Sequence, residues 1–323
     1  MAVNADKPHR WKSDIAQSVD MYNDWFIRFA PKAYRDTRME TTERVKKALE
    51  WTDNLTNIEP QVLREHPSIL PILRMTTAPP LARDRLIGLA RVEPNLVHSM
   101  ETEQRLPPKM EYTKASIGLQ KVGQMIMQLA DKEVITWLED KHMPSEIEIY
   151  RASTIVADRL CGAETNPILR NAQEQRQLKM IGEWLIQQGY TQIGTGTGLK
   201  FSEMTPGTFI FRLNVTVIQE DKQGQKRRVN IPIDAVIMPL RASPGDFPLL
   251  IEAKSAGDFT NTNKRRKEEA TKISQLQRQY GTNIHFIMFL CGYFDTGYLG
   301  YEAAEGIDWI WEHRIDDLAE FGV

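Results

Sequence analysis

The sequence has few of the features that mark secreted, membrane-spanning or zinc-binding proteins. It contains two cysteines among 323 residues, Cys161 and Cys291, far apart and without metal-ligand spacing. This excludes a disulfide framework and argues against a structural zinc site, so we expect two core thiols in a reducing compartment. No run of 18 apolar residues occurs, and the N-terminus lacks an apolar signal core. We therefore expect no membrane span and a cytoplasmic location.

Several common catalytic motifs are also missing. The histidines form no His-x-x-x-His pair, and no Ser-His-Asp arrangement is visible. The glycines at 194–198 lack the Gly-Lys-Ser/Thr of a phosphate-binding P-loop, so this segment is predicted to be a turn.

The net charge of −2 gives no overall signal for a nucleic-acid partner, but the charges are unevenly distributed. Residues 171–280 carry 16 Lys and Arg against 11 Asp and Glu, whereas residues 281–323 carry one Arg against eight acids. A local positive excess of this kind suits a phosphate backbone.

The hydrophobic pattern predicts an α/β protein with two regions. Residues 1–165 have helical spacing and are predicted to be a mainly helical region. A boundary between the two regions is predicted at Gly162 to Pro167, between a helix at 145–160 and another at about 169–188, and residues 166–323 are predicted to contain several strands as well as helices. From 208 to 218 apolar and polar residues alternate, which predicts a strand with two different faces. One face carries Phe209, Phe211, Leu213, Val215 and Val217, and the other carries Arg212, Asn214 and Thr216.

Two further strands of this region carry charged residues at unusual places. Asp234 lies in the strand pattern of residues 229–238, and Glu252 and Lys254 interrupt the apolar run that begins at Leu249. Alternation puts Glu252 and Lys254 on one face, roughly 7 Å apart. If the two strands pair, Asp234 meets Glu252, and two carboxylates and an ammonium share one small site.

Such a site has a specific chemistry. Carboxylate oxygens suit Mg²⁺, which typically takes one or two protein carboxylates together with water and substrate phosphate. A lysine beside the ion can position or activate the attacking water and offset charge in the transition state. Any one of these residues alone would usually be a solvated surface charge, but burying them in a central strand without a function is expensive.

The spacing of these residues resembles a known motif. Pro232-Ile233-Asp234, 17 residues, and then Glu252-Ala253-Lys254 resemble the PD-(D/E)XK nuclease motif, with Ile233 as a departure from the literal Pro-Asp pair. Three segments are similar to the XamI-type type II restriction endonucleases. They are Glu-Ala-Lys-Ser-Ala-Gly-Asp-Phe-Thr-Asn at 252–261, Lys-Arg-Arg-Lys-Glu-Glu-Ala-Thr-Lys at 264–272, and residues 14–26 continuing into 29–35.

The resemblance implies that residues 166–323 form a PD-(D/E)XK catalytic core, with a central mixed sheet flanked by helices, and that the helical residues 1–165 serve DNA binding, dimerisation or both. It also implies Mg²⁺-dependent cleavage of double-stranded DNA at specific sites. Asp234, Glu252 and Lys254 would be catalytic, with Asp234, Glu252 and the Ala253 carbonyl as metal ligands. Cutting both strands of a symmetric site suggests a homodimer. A cognate DNA methyltransferase is expected in the same system, though not as a binding partner. Two alternatives stay open: a repair or junction nuclease of the same superfamily, and an inactive DNA-binding protein on that scaffold.

Glu174 is a candidate third metal ligand. It shares a helical stripe with Leu178, Ile181 and Leu185, and in some PD-(D/E)XK relatives a helix acid here approaches the metal. The alternative is a first-turn glutamate that favours the helix dipole.

A basic run follows the Glu252 strand. Lys264, Arg265, Arg266 and Lys267 open a predicted helix at 263–280, where positive charge opposes the helix dipole. A DNA phosphate partner would explain this, and Lys272 further along is a candidate DNA contact too. The alternative is a solvated run that Glu268 and Glu269 compensate.

Overall fold

The computed structural model describes the chain except residues 1, 195–199, 201–202, 221–224 and 261. The side chains of residues 163–165, 220 and 262–267 also lie outside the described part. The chain divides into two compact units. One comprises Met1–Phe29 and Leu169–Val323 and is called the sheet unit; the other, Ala30–Ile168, is called the helical unit. Two long helices, α1 (Pro8–Trp51) and α8 (Glu146–Gln187), supply residues to both.

The helical unit is held together by amphipathic helices. In α6, the buried residues Ala115, Leu119, Val122 and Ile126 recur at intervals of three and four, so one side of the helix is apolar. They belong to an apolar core that also includes residues of α1 and α8. Between these long helices lie α2 (Pro60–Glu65), α3 (Leu70–Met75), α4 (Arg83–Ala90), α5 (Pro94–Thr102), α6 (Tyr112–Gln128) and α7 (Trp137–Asp140). A 3₁₀ segment spans Pro67–Ile69.

The sheet unit contains a six-stranded mixed sheet whose spatial order follows the chain order. The strands are β1 (Thr191–Gln192), β2 (Thr208–Glu220), β3 (Lys226–Met238), β4 (Leu249–Ala256), β5 (His285–Gly292) and β6 (Asp308–Trp311). Pairs β2–β3 and β3–β4 are antiparallel, and β1–β2, β4–β5 and β5–β6 are parallel. Helix α9 (Thr262–Tyr280) connects β4 to β5, and α10 (Thr296–Ala304) connects β5 to β6. A 3₁₀ segment, Glu312–Phe321, follows β6.

Both faces of the sheet are covered, so its central strands are nearly continuous apolar runs. Leu178, Ile181 and Leu185 of α8 pack on one face in a core with Leu249 and Ile251. Residues of α9 and α10 form a second core with the opposite face. That core includes Leu250, Met288, Ile273, Leu276 and Leu299. The predicted α/β class with a mixed sheet flanked by helices is confirmed. The predicted order of helix, three strands, helix and strand is present as α8, β2 to β4, α9 and β5, but it lacked the two-residue strand β1.

The predicted single-faced alternation along β2 is wrong. Phe209 and Phe211 pack in the α8 core, whereas Leu213 packs against the opposite core. The change occurs at Arg212, whose φ of 56° lies in the left-handed region. This conformation interrupts the regular pleat, so the residues beyond it change faces.

The predicted interruption of the helix at Gly162 to Pro167 is wrong, because α8 is continuous through Pro167. As a boundary between regions, the segment lies next to the division of the two units at Ile168 and Leu169. Proline removes one helical hydrogen bond and disfavours the preceding helical residue, which is the signal the prediction relied on. Helical residues on both sides of it are buried in apolar cores, for example Leu160 and Leu178, and this packing outweighs the local cost.

The first 29 residues belong to the sheet unit, whereas the sequence placed them with the other helices of residues 1–165. The Asn4 N–H donates to Asp308 Oδ1 at 3.0 Å, and the Gly292 N–H donates to Ser18 Oγ at 2.7 Å. These contacts span about three hundred residues, and local periodicity carries no signal for them.

No helix in the described part of the chain is apolar over enough length to cross a bilayer.

Candidate active site

The pairing of β3 with β4 brings two carboxylates together. Ala235 pairs with Ile251 and Val236 with Leu250, so the same antiparallel register sets Asp234 opposite Glu252. The N–H of Ala253 donates to Asp234 Oδ2 at 2.8 Å and fixes that carboxyl group. The strand pairing on which the sequence prediction depended is therefore present.

The surroundings of Asp234 disfavour a bare negative charge. Burial, reinforced by repulsion from Glu252, raises the pKa of Asp234 to about 6, while the Ala253 hydrogen bond opposes the rise. Glu252 itself is only 5% exposed. Two neighbouring anions in a partly buried site repel each other, so nearby cations stabilise them.

Two lysines supply part of this positive charge. Lys254 Nζ lies 3.0 Å from Glu252 Oε1 and 2.8 Å from Glu269 Oε1. Lys272 Nζ of α9 lies 2.6 Å from the same Glu252 oxygen. Burial alone lowers the pKa of Lys254, but the Glu252 and Glu269 carboxylates outweigh it and raise the pKa above its ordinary value. Lys254 is therefore an ammonium ion held between two carboxylates.

Glu174, the candidate third metal ligand, lines the same cavity but has an arginine partner. Arg212 donates to Glu174 Oε1 from Nε at 3.1 Å and from Nη2 at 2.9 Å. Arg212 lies between Phe211 and Leu213, which pair with Ala235 and Ile233, so it faces the Asp234 position on the next strand. The left-handed backbone of Arg212 thus occurs beside the carboxylate pair, and such outliers cluster at functional sites.

A cavity of about 270 Å³ gives access to these groups. Asp234, Glu252, Ala253 and Lys254 line it, together with Ser255 and with Arg170, Gln173, Glu174, Gln177 and Glu268.

Gln177 of α8 ties the helix to β4. Its amide nitrogen donates to the carbonyls of Lys254 at 3.4 Å and Phe289 at 3.3 Å, and Ser255 Oγ donates to its amide oxygen at 3.0 Å. Gln177 therefore holds the end of β4 against the helix and β5.

The predicted DNA-binding residues fall into two groups. Lys264, Arg265, Arg266 and Lys267 belong to the first turns of α9, but their side chains lie outside the described residues. Lys272 is described, and its ammonium lies in the carboxylate cluster, 2.6 Å from Glu252. Their DNA contacts stay predictions.

The sequence interpretation missed three residues of the site: Glu269, Gln177 and Arg212. Glu269, considered there only as compensation for the basic run, is fully buried. It shares a stripe with Ile273, Leu276 and Tyr280, so helical periodicity could have identified it as inward-facing. Gln177 likewise lies one turn before the buried Ile181. No sequence signal marks the unusual backbone of Arg212.

The donor set fits a hard divalent cation. Glu252 Oε2 is buried and has no hydrogen-bond partner among the described residues. The described residues contain no group of three or more His, Cys, Asp or Glu side chains suited to hold a metal. Two carboxylates with access to water and phosphate match the requirements of Mg²⁺ rather than those of a closed structural site.

Comparison with known proteins places the chain in a family. The family model of the XamI restriction endonuclease matches residues 53–311, which contain Asp234, Glu252 and Lys254. The chain is also 53% identical to the type II restriction enzyme SalI of Streptomyces albus G over 320 residues, which is 99% of each chain. A solved structure, protein VC1899 from Vibrio cholerae, aligns with 80% of this chain and 55% of its own at 12% identity. Its TM-score of 0.27 is too low to inform the site.

Proposed function

The chain belongs to the XamI restriction endonuclease family, and from this premise we propose that Asp234 and Glu252 bind the Mg²⁺ with which it hydrolyses double-stranded DNA. Family membership makes the protein a type II site-specific deoxyribonuclease. The main support for the proposed site is the buried pair of carboxylates, Asp234 and Glu252, with Lys254 lining the same cavity. The further proposal is that this arrangement is a PD-(D/E)XK site.

The ligands of the ion would be one oxygen from each carboxylate and the Ala253 carbonyl. The N–H and C=O of a strand residue point to the same neighbouring strand. The Ala253 N–H donates to Asp234, so its carbonyl lies on the Asp234 side as well. Glu252 Oε2, which lacks a hydrogen-bond partner among the described residues, is the second donor. A bound Mg²⁺ would polarise a phosphoryl oxygen and lower the pKa of a water.

Lys254 supplies charge and hydrogen-bond donors rather than a base. Its raised pKa keeps the ammonium form, which has three donors and no acceptor. It can therefore orient a water or a phosphate oxygen and offset negative charge that develops in the transition state. Glu269 and Glu252 hold this ammonium in place before DNA arrives.

Glu174 has a supporting role in this proposal. Its carboxylate is neutralised by Arg212, so it shapes the cavity wall beside Asp234. Both Arg212 contacts fall on Oε1, so a direct bond from Glu174 to the ion would come from Oε2.

Double-strand cleavage leads us to propose a homodimer. The described residues of one chain assemble the Asp234 and Glu252 pair once, which serves one strand. Two copies related by a two-fold axis would match the symmetry of a palindromic site. Light scattering after gel filtration tests this, and a monomer both free and bound to DNA would contradict it.

The test of function is digestion of a plasmid of known sequence by purified protein and Mg²⁺, followed by mapping of the ends. We expect discrete fragments with the wild type and none with Asp234→Ala or Glu252→Ala. Both variants should still bind DNA in Ca²⁺. Glu183→Ala is the matched control, since Glu183 is an exposed α8 carboxylate paired with Lys179. Wild-type cleavage by either site variant would remove that residue from the mechanism.

A further inference from the structure

Glu252 has an unusual pair of partners on a single oxygen. The ammonium groups of Lys254 and Lys272 both contact Oε1, at 3.0 and 2.6 Å. Lys254 comes from the same strand, two residues away, but Lys272 comes from α9. One carboxylate oxygen thus carries two cations while the other has no hydrogen-bond partner among the described residues.

The two lysines are not held equally. Lys254 also contacts the fully buried Glu269 at 2.8 Å, so its removal from Glu252 still leaves it paired. This second anion fixes Lys254 where it is. Lys272 is the more exposed of the two, with 23% of its side chain accessible against 16% for Lys254. Lys272 is therefore the ammonium that can move away from Glu252 toward the solvent side.

The net charge of the cluster depends on whether Lys272 is present. Asp234, Glu252 and Glu269 set three negative charges against the two ammonium groups, which leaves −1. The other charged residues around the cavity balance, since Arg170 and Arg212 match Glu174 and Glu268. A divalent cation would change the total to +1, and one phosphodiester would neutralise it. Without Lys272 the cluster would be −2 before the cation and neutral afterwards.

We propose that Lys272 is the resident counter-ion of Glu252 and is released toward the DNA phosphate when Glu252 ligates a divalent cation. This rests on the cation site of the proposed function and assigns a further positioning residue to it. Lys272 then has two opposing effects. It competes with the cation for the carboxylate, and it keeps the loaded cluster positive enough to attract a phosphodiester.

Opposing effects make the inference testable without measuring cleavage. In Lys272→Met, Ca²⁺ should bind on the order of tenfold more tightly, because a nearby positive charge has been removed. DNA should bind the Ca²⁺-loaded variant on the order of tenfold more weakly, because an ammonium near the phosphate is gone. Lys272→Arg keeps the charge and should restore both affinities to within about threefold of wild type.

The experiment is calorimetric titration of the metal-free protein with Ca²⁺, followed by fluorescence anisotropy of a labelled DNA duplex in excess Ca²⁺. Lys179→Met is the control, since Lys179 is 74% exposed and lies in an i,i+4 pair on α8. Circular dichroism confirms folding of each variant. If Lys272→Met does not fold, Lys272→Gln removes the charge while keeping a hydrogen-bond donor for Glu252.

The outcomes separate the two proposals. Unchanged Ca²⁺ binding in Asp234→Ala and Glu252→Ala would overturn the proposed cation site. Loss of Ca²⁺ binding in those two, with no tightening in a folded Lys272 variant, would leave the cation site standing and overturn the role of Lys272. Weakened Ca²⁺ binding in the folded Lys272 variant would overturn it too, because Lys272 would then be organising Glu252 for the cation. Tighter Ca²⁺ with weaker DNA binding supports it.

Discussion

Each unit of the molecule buries a glutamate against basic groups, and the two arrangements differ in one respect. In the helical unit, Arg74 donates to Glu101 Oε1 at 2.5 Å and to Oε2 at 3.0 Å, and its remaining nitrogen donates to the Leu81 carbonyl. In the sheet unit, Glu252 receives two ammonium groups on one oxygen and keeps the other without a hydrogen-bond partner among the described residues.

The difference shows how to distinguish a structural ion pair from a binding site. The Arg74–Glu101 pair is bidentate, so each carboxylate oxygen of Glu101 has a charged hydrogen-bond donor. Glu252 lines a cavity and keeps one buried oxygen that no hydrogen-bond donor of the described residues contacts. This has a cost to the folded state, because buried polar atoms are usually satisfied. We therefore expect changes to Glu101 to affect stability and changes to Glu252 to affect chemistry.

The largest effect is expected for Glu252→Gln. The substitution keeps the shape but removes the anion that we propose as a metal ligand, so cleavage should fall on the order of 10³-fold or more. Single-turnover cleavage of supercoiled plasmid in Mg²⁺ measures this, with folding checked by circular dichroism. A rate within about tenfold of wild type would show that Glu252 is no more important for cleavage than a structural glutamate such as Glu101.

Glu101→Gln should have the complementary effect. Removing one charge of a buried ion pair leaves the other charge without its counter-ion. We therefore expect a loss of about 3 kcal/mol in the free energy of unfolding. The cleavage rate per folded molecule should not change. Glu103→Gln is the control, because the Glu103–Arg105 pair is about half exposed and should contribute under about 1 kcal/mol. Urea denaturation measures both, and equal losses would contradict the assignment.

Asp234→Asn should stabilise the metal-free protein in a pH-dependent way. The pKa of Asp234 rises from 3.8 to about 6 on folding, so ionising it costs more in the folded protein than in the unfolded chain. That cost is absent below pH 4, grows between pH 4 and 6, and is complete above pH 6. We expect the variant to gain about 3 kcal/mol at pH 8 and little at pH 4.

Urea denaturation in EDTA at several pH values checks this. Asp246→Asn is the control, because Asp246 is an exposed residue in the loop between β3 and β4. A gain for Asp234→Asn that is the same at pH 4 and pH 8 would show that the charge of Asp234 is not what destabilises the site.

The smallest effects are expected in the basic run of α9. If Lys264 and Lys267 contact phosphate, each alanine variant should weaken binding to all duplexes alike and lower the salt slope by about one unit. Anisotropy titrations at several salt concentrations measure the slope, with Lys179→Ala as the control. Unchanged slopes in both would make the run a solvated surface and leave Lys272 as the lysine of α9 that acts at the site.

Features that depend on residues close together in the sequence could be predicted, whereas features that depend on tertiary packing could not. Strands β2, β3, β4 and β5 and helix α9 were predicted because their hydrophobic periods are local properties. The proximity of Asp234 and Glu252 followed once β3 and β4 were paired. The continuity of α8 through Pro167 and the change of faces at Arg212 were not predicted, because tertiary packing outweighs the local preference there.

The sequence by itself determined the α/β class, the family, and Asp234, Glu252 and Lys254 as the chemical candidates, since residue types and their spacing carry that information. Only the tertiary structure decided that Glu269 and Lys272 join them. Their positions depend on how α9 packs through Ile273 and Leu276 against the sheet, at distances that no local pattern records. The same packing separates the two oxygens of Glu252 into one that is ion-paired and one that has no hydrogen-bond partner among the described residues.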